Sequence, residues 1–158
     1  MKRIKVKPVE IIGNCRANIT LADEFQIEGM QLKNPGQCNV CFLALGHFPP
    51  VITRLQSGNR FFAHVNCPDC LSRLDQENRV VFLLGHADKW ELCLAISEYC
   101  RLCRHCAREP ERARHLSEAA LRHQYLGEYQ EATETMKQAL AELKRVLSID
   151  HNHPAARL

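Results

Sequence analysis

Residues 79–84, Arg79-Val80-Val81-Phe82-Leu83-Leu84, are apolar enough to lie inside a sheet, and Gly85 closes the run. Before it, strand-like segments surround one helical stretch. After it, nothing reads as strand, and apolar residues recur only at helical spacing. This changeover predicts an α+β chain. About four strands and one main helix make a small mixed domain over residues 1–86, a Cys-bearing helix or connector spans 87–110, and an α-helical hairpin spans 111–158.

Working outward, Ile4-Lys5-Val6-Lys7-Pro8-Val9-Glu10 alternates apolar and polar residues, and the alternation fails at Ile11-Ile12 before Gly13-Asn14. It reads as a strand near a sheet edge, because Pro8 lacks the N–H a ladder needs. Glu24-Phe25-Gln26-Ile27-Glu28 alternates cleanly up to Gly29, and Asn34-Pro35-Gly36 is a turn signal. Val40, Leu43, Ala44, Val51, Ile52 and Leu55 mark a helix that Pro49-Pro50 interrupts or restarts. Arg60–Val65 is a further strand, and Asn66-Cys67-Pro68-Asp69-Cys70 a loop. Downstream, Trp90, Cys93, Ile96, Cys100 and Cys103 follow a helical period as far as Pro110. Two helices then join at Gly127. The second carries Tyr129, Ala132, Met136, Ala139, Leu140, Leu143 and Leu147 on one stripe.

The 158 residues include nine cysteines, with 46% hydrophobic and 25% charged residues. That balance excludes a disordered chain, and no apolar run approaches the ~20 residues of a membrane helix. The start, Met1-Lys2-Arg3-Ile4-Lys5-Val6-Lys7-Pro8, has charge but no apolar core of a secretory signal, so a cytoplasmic location is expected. In that compartment cysteine pairs point to metal or redox chemistry before disulfides. The net charge of +3 falls far short of a nucleic-acid binder's basic stripe. No phosphate loop, dinucleotide fingerprint or His-Glu-x-x-His pair is present, so no catalytic residue is assigned.

Gly13-x-Cys15, Asp23-x-Phe25, Cys41-x-x-Ala44 followed by Pro50, Leu55 and Gly58, and Cys67-Pro68-Asp69 ahead of Val80-Val81-Phe82 occur in an order that resembles a family of small bacterial and archaeal proteins of uncharacterised function. The resemblance covers residues 4–84 and implies a small α+β fold with thiols at Cys15, Cys41 and Cys67. Cys38, Cys70 and everything after Gly85 depart from it. Gly127-Glu128-Tyr129-x-Glu131-Ala132, with Met136, Ala139-Leu140 and Asp150-His151-Asn152-His153-Pro154, resembles one tetratricopeptide-type hairpin over residues 113–154. It implies protein–protein contact. A single repeat cannot bury a continuous core, so residues 113–150 are expected to dock on their own chain, bind a protein partner or form a homodimer. An ordinary packing hairpin fits the residues equally.

Two cysteine groups carry the chemistry. Cys38-x-x-Cys41 and Cys67-x-x-Cys70, with 25 residues between the pairs, have four-thiolate zinc spacing if the intervening helix closes the site. The plain alternative is that Cys41 packs as a small hydrophobe. The second group is Cys93, Cys100, Cys103 and Cys106, whose C-x2-C-x2-C core is similar to the start of an iron–sulfur motif. On an unbroken helix Cys93 and Cys100 lie ~10.5 Å apart and Cys100 and Cys106 ~9 Å, too far for one ion, so Cys93 is the doubtful member. Three arrangements stay open: a loop from Cys100 binding a cluster with a remote ligand such as Cys70 or His86, a helical site for zinc or, less favoured, Cu(I), or cysteines lining a buried face. Arg101, Arg104 and Arg108 are expected to form a solvated face, turn the thiols inward and lower their pKa. His47, His64, His86 and His105 could lend a ligand; His115, His123, His151 and His153 belong to the helical segment. The combined expectation is a non-enzymatic zinc or iron–sulfur accessory protein with a protein-interaction hairpin. The alternative is a thiol oxidoreductase using the C-x-x-C cysteines.

Overall fold

Strand β1 (Arg3–Ile12) shows why this chain builds a sheet: Ile4 and Val6 are fully buried, whereas Arg3, Lys5 and Lys7 alternate onto the other face. The structure, a computed structural model, describes residues 2–34, 36–58, 60–68, 78–106 and 108–149. It divides into two compact units, Met1–Cys93 and Leu94–Leu158. The boundary falls inside a helix that the sequence assigned wholly to a connector.

The first unit is a five-stranded antiparallel sheet in the order β3-β2-β1-β5-β4, with β2 (Phe25–Glu28), β3 (Gln31–Lys33), β4 (Phe62–Asn66) and β5 (Arg79–His86). Strand β3, three exposed residues, adds to the four strands expected. Strand β1 is central, which corrects the edge placement read from Pro8. Two features accommodate the proline. The ladder to β2 covers only Arg3–Val6, leaving β1 locally unpaired on that side, and the pairing with β5 shifts register between Pro8 and Glu10. The same bulge ends the alternation: beyond it Ile11 packs on the core and Ile12 is exposed.

Strand β5 is covered on both faces, as its apolar run predicts. Val80, Phe82 and Leu84 join the main core, while Gly85 on the opposite face lies against Trp90 and Cys93. The helical stretch is two helices, α1 (Phe42–Leu45) and α2 (Phe48–Ser57). Pro49 and Pro50 stand in the first turn of α2, where missing N–H groups leave no bond unmade. Phe48 packs between Phe25 and Phe82, with ring centroids 6.3 and 5.4 Å away.

A 3-10 turn (Ala87–Lys89) leads into helix α3 (Trp90–Cys103), which crosses the boundary between the units. The second unit adds α4 (Glu111–Tyr125) and α5 (Tyr129–Ile149). Gly127, at φ +80°, closes α4 in a left-handed cap, with Gly127 N–H bonded to Gln124 O at 3.0 Å and Glu128 N–H to His123 O at 2.9 Å. Of the stripe read from the sequence, Ala132, Met136, Ala139, Leu140, Leu143 and Leu147 are buried and Tyr129 is half-buried. Lys144 pairs with Glu98 of α3 at 2.7 Å. None of the helices in the described residues is long and apolar enough to cross a membrane.

Candidate functional site

Of the first cysteine group, the fold brings Cys41 and Cys67 together. Cys41 precedes α1 and Cys67 follows β4, where its N–H bonds Val80 O at 2.9 Å. Both side chains are buried in the main core, and their sulfurs stand 3.9 Å apart, far beyond a disulfide bond. Burial pushes the Cys41 thiol up, and Cys67 adds to the rise; the backbone of Ala44 and Leu43 in α1 pulls the other way.

Cys38 packs on the edge of the same core, with its thiol engaged elsewhere. Its thiol donates to Glu24 O at 3.3 Å and Asn34 Oδ1 at 3.1 Å, inside a loop that the Asn34 side chain closes onto the Cys38 backbone. Cys15 is half-buried against the same core as Cys41 and Cys67. Its loop is pinned by Asn14 N–H to Asn78 Oδ1 at 3.0 Å, next to the start of β5. Because Ile12 pairs with Arg79 and Cys67 bonds Val80, Cys15 and Cys67 share one end of the sheet. Cys70 lies outside the described residues.

The second group separates. Cys93 is fully buried in the first unit, its thiol directed at Phe61 O at 3.8 Å and its pKa pushed up to about 12 by burial. It packs beneath Gly85 in the first unit, whereas Cys100, Cys103 and Cys106 belong to the second. Helix α3 ends at Cys103, not Cys106, and tight turns follow: His105 N–H bonds Leu102 O and Cys106 N–H bonds Cys103 O, each at 3.0 Å. Arg104 and Arg108 are exposed, as expected, but Arg101 is half-buried and Cys100 is exposed, and Cys103 and Cys106 are half-buried, so the thiols do not share one inward face. The expected lowering of thiol pKa is also corrected. Desolvation raises Cys100, Cys103 and Cys106, and Glu109 raises all three further; Arg104 lowers Cys100 only in part.

Glu109 is the residue the sequence reading missed. It accepts a short hydrogen bond from Tyr99 and interacts with the Cys103 thiol. The three-residue rhythm Cys100, Cys103, Cys106, Glu109 was the available signal.

The histidines do not complete either group. His86 is buried and bonded through Nε2 to Leu55 O at 2.8 Å, and His47, His64 and His105 are exposed. His151 and His153 lie outside the described residues. Among the described residues, no three or more His, Cys, Asp or Glu side chains are gathered as a metal-holding group. Comparisons with protein-family models, curated proteins and solved structures found no match for this chain.

Proposed function

We propose that this chain is a non-enzymatic metal-binding protein whose site is built on Cys41 and Cys67. The carrying observation is their sulfur separation of 3.9 Å, from segments 26 residues apart. Thiolates bound to one tetrahedral zinc at ~2.3 Å are separated by about 3.8 Å, so the pair already matches one edge of such a site. Cys70, three positions after Cys67, supplies the third ligand in this reading, and Cys15 takes the fourth place that the sequence spacing assigned to Cys38. Zinc would supply structure here, tying the β1, β4 and α1 ends of the sheet together.

The dithiol oxidoreductase reading fares worse on the same observations. A redox thiol must be exposed to its substrate and ionise readily, whereas both sulfurs are buried and Cys41 ionises less readily than a free thiol. The second cysteine group adds no site to this proposal, because Cys93 has left it. For the hairpin, we propose a protein partner that contacts its turn, where Leu121, Tyr125 and Leu126 are exposed.

Metal analysis of protein purified without oxygen tests the metal reading. One zinc per chain is expected, retained in a Cys38→Ser variant and lost in a Cys41→Ser/Cys67→Ser variant. A reduced, metal-free wild-type protein whose melting temperature ignores added zinc and chelators would overturn it.

A further inference from the structure

The N-terminal half of β1 forms one wall of a cleft of about 420 Å³, lined by Lys2, Arg3, Lys5, Gln26, Ala87 and Asp88. Its origin is the strand alternation itself. With Ile4 and Val6 turned into the core, Arg3 and Lys5 must stand on the other face, and Gln26 is the cross-strand neighbour of Lys5. Ile4 pairs with His86, so the 3-10 turn that leaves β5 rises directly beside this face and makes the second wall with Ala87 and Asp88.

The lining is chemically lopsided. Three cationic residues, Lys2, Arg3 and Lys5, line the cleft at one strand end. Lys5 is paired with Glu24 at 2.8 Å, but among the described residues neither Lys2 nor Arg3 has a carboxylate within ion-pair distance. The rest of the lining is the Gln26 carboxamide beside Lys5 and, on the second wall, the Asp88 carboxylate and the Ala87 methyl group. No aromatic side chain lines the cleft, so nothing there would stack on a nucleobase. The volume is within the roughly 300–1,000 Å³ of small-molecule sites, well above what a bare phosphate fills.

We infer that this cleft binds a phosphorylated sugar or polyol, with Lys2 and Arg3 on the phosphate and Gln26 and Asp88 on hydroxyl groups. Charge-assisted bonds from a lysine–arginine set hold a phosphate, and an acceptor carboxylate opposite them would repel a second anion but welcome a hydroxyl donor. The site is separate from the Cys41–Cys67 pair and does not depend on metal.

The test is an amide-shift titration of the full chain with ribose 5-phosphate, inorganic phosphate and ribose at constant ionic strength. Ribose 5-phosphate is expected to bind more tightly than either fragment, with shifts centred on residues 2–5, 26 and 87–88. Lys2→Ala/Arg3→Ala should weaken it by about tenfold or more. Asp88→Asn should weaken ribose 5-phosphate while leaving inorganic phosphate equal or tighter. Arg112→Ala/Arg122→Ala, the same charge change on α4, should alter neither. Equal weakening by the α4 variant, shifts spread over all basic residues, or equal affinity for phosphate and ribose 5-phosphate would each overturn the inference.

Discussion

His86 stands between the sheet and α2 with one ring nitrogen bonded and the other bare. Nε2 meets Leu55 O at 2.8 Å, and that carbonyl requires it to donate, so Nδ1 carries the lone pair in a buried setting without a partner. Protonating Nδ1 would place a charge in the core, and burial accordingly lowers the His86 pKa from 6.5, with Lys2 and Lys89 adding to the effect. A histidine whose folded pKa lies below its unfolded value binds fewer protons in the native state. Its stabilising effect is therefore fully present above about pH 6.5 and is lost as pH falls below that value toward the folded pKa. The loss from this residue is at most about 1.4 kcal/mol per pH unit. Urea midpoints at about pH 7.5 and pH 5.5 should show the fall, and His86→Gln should flatten it while lowering stability at both. An unchanged slope in His86→Gln would assign the acid sensitivity elsewhere. Sequence reading placed His86 among borrowed metal ligands because it lies within a few residues of a cysteine group. Only the tertiary contact with Leu55 shows that its donor is already used.

Among the elements, β5 comes against the start of α3 at Gly85. A Cβ there would come within 2.8 Å of Cys93 Sγ and 3.2 Å of Trp90 Cζ3. Gly85→Ala should destabilise the protein by about 1–3 kcal/mol through overpacking. Adding Cys93→Ala removes the sulfur in the way, so the double variant should be less destabilised than the two single changes together, by more than about 0.5 kcal/mol. Urea unfolding followed by fluorescence of Trp90, the sole tryptophan, reads the cycle at the contact itself. Strict additivity would show that Cys93 is not what limits the space. The strands and helices were largely legible, because alternation in β1 and β2 and the stripe on α5 are local patterns that tertiary packing reinforced. Pro8 misled because a bulge, a property of two strands, has no one-strand signature. The cysteines were legible as candidates but not as groups: spacing joined Cys38 to Cys41 and Cys93 to Cys100, whereas folding joined Cys41 to Cys67 and turned Cys93 under Gly85. A C-x-x-C pair fixes the distance along the chain, and the direction of each sulfur depends on the neighbours each loop acquires.

For the whole molecule, the open matter at the outset was what covers a solitary helical hairpin. An apolar stripe of six residues on α5 would cost on the order of 10 kcal/mol if left in water, taking roughly 1.5–3 kcal/mol for each large side chain. Within one chain that stripe is already buried, with Ala113 and Ala120 of α4 buried on the facing helix and Glu98 of α3 pairing with Lys144. A second copy therefore has no core left to complete. Among the described residues of the hairpin, the large apolar side chains that stay exposed are Leu121, Tyr125 and Leu126 near its turn, three side chains whose area is far below the ~1,200 Å² of a stable protein interface. The chain should accordingly elute as a monomer of 18.1 kDa by light scattering across a wide concentration range. Tyr125→Ser/Leu126→Ser should leave both that mass and the unfolding midpoint unchanged, since neither side chain supports the fold. The same substitutions should abolish capture of the proposed protein partner. A stable dimer of the wild-type chain, split by these two substitutions, would instead make the turn a self-association surface and remove the need for another partner.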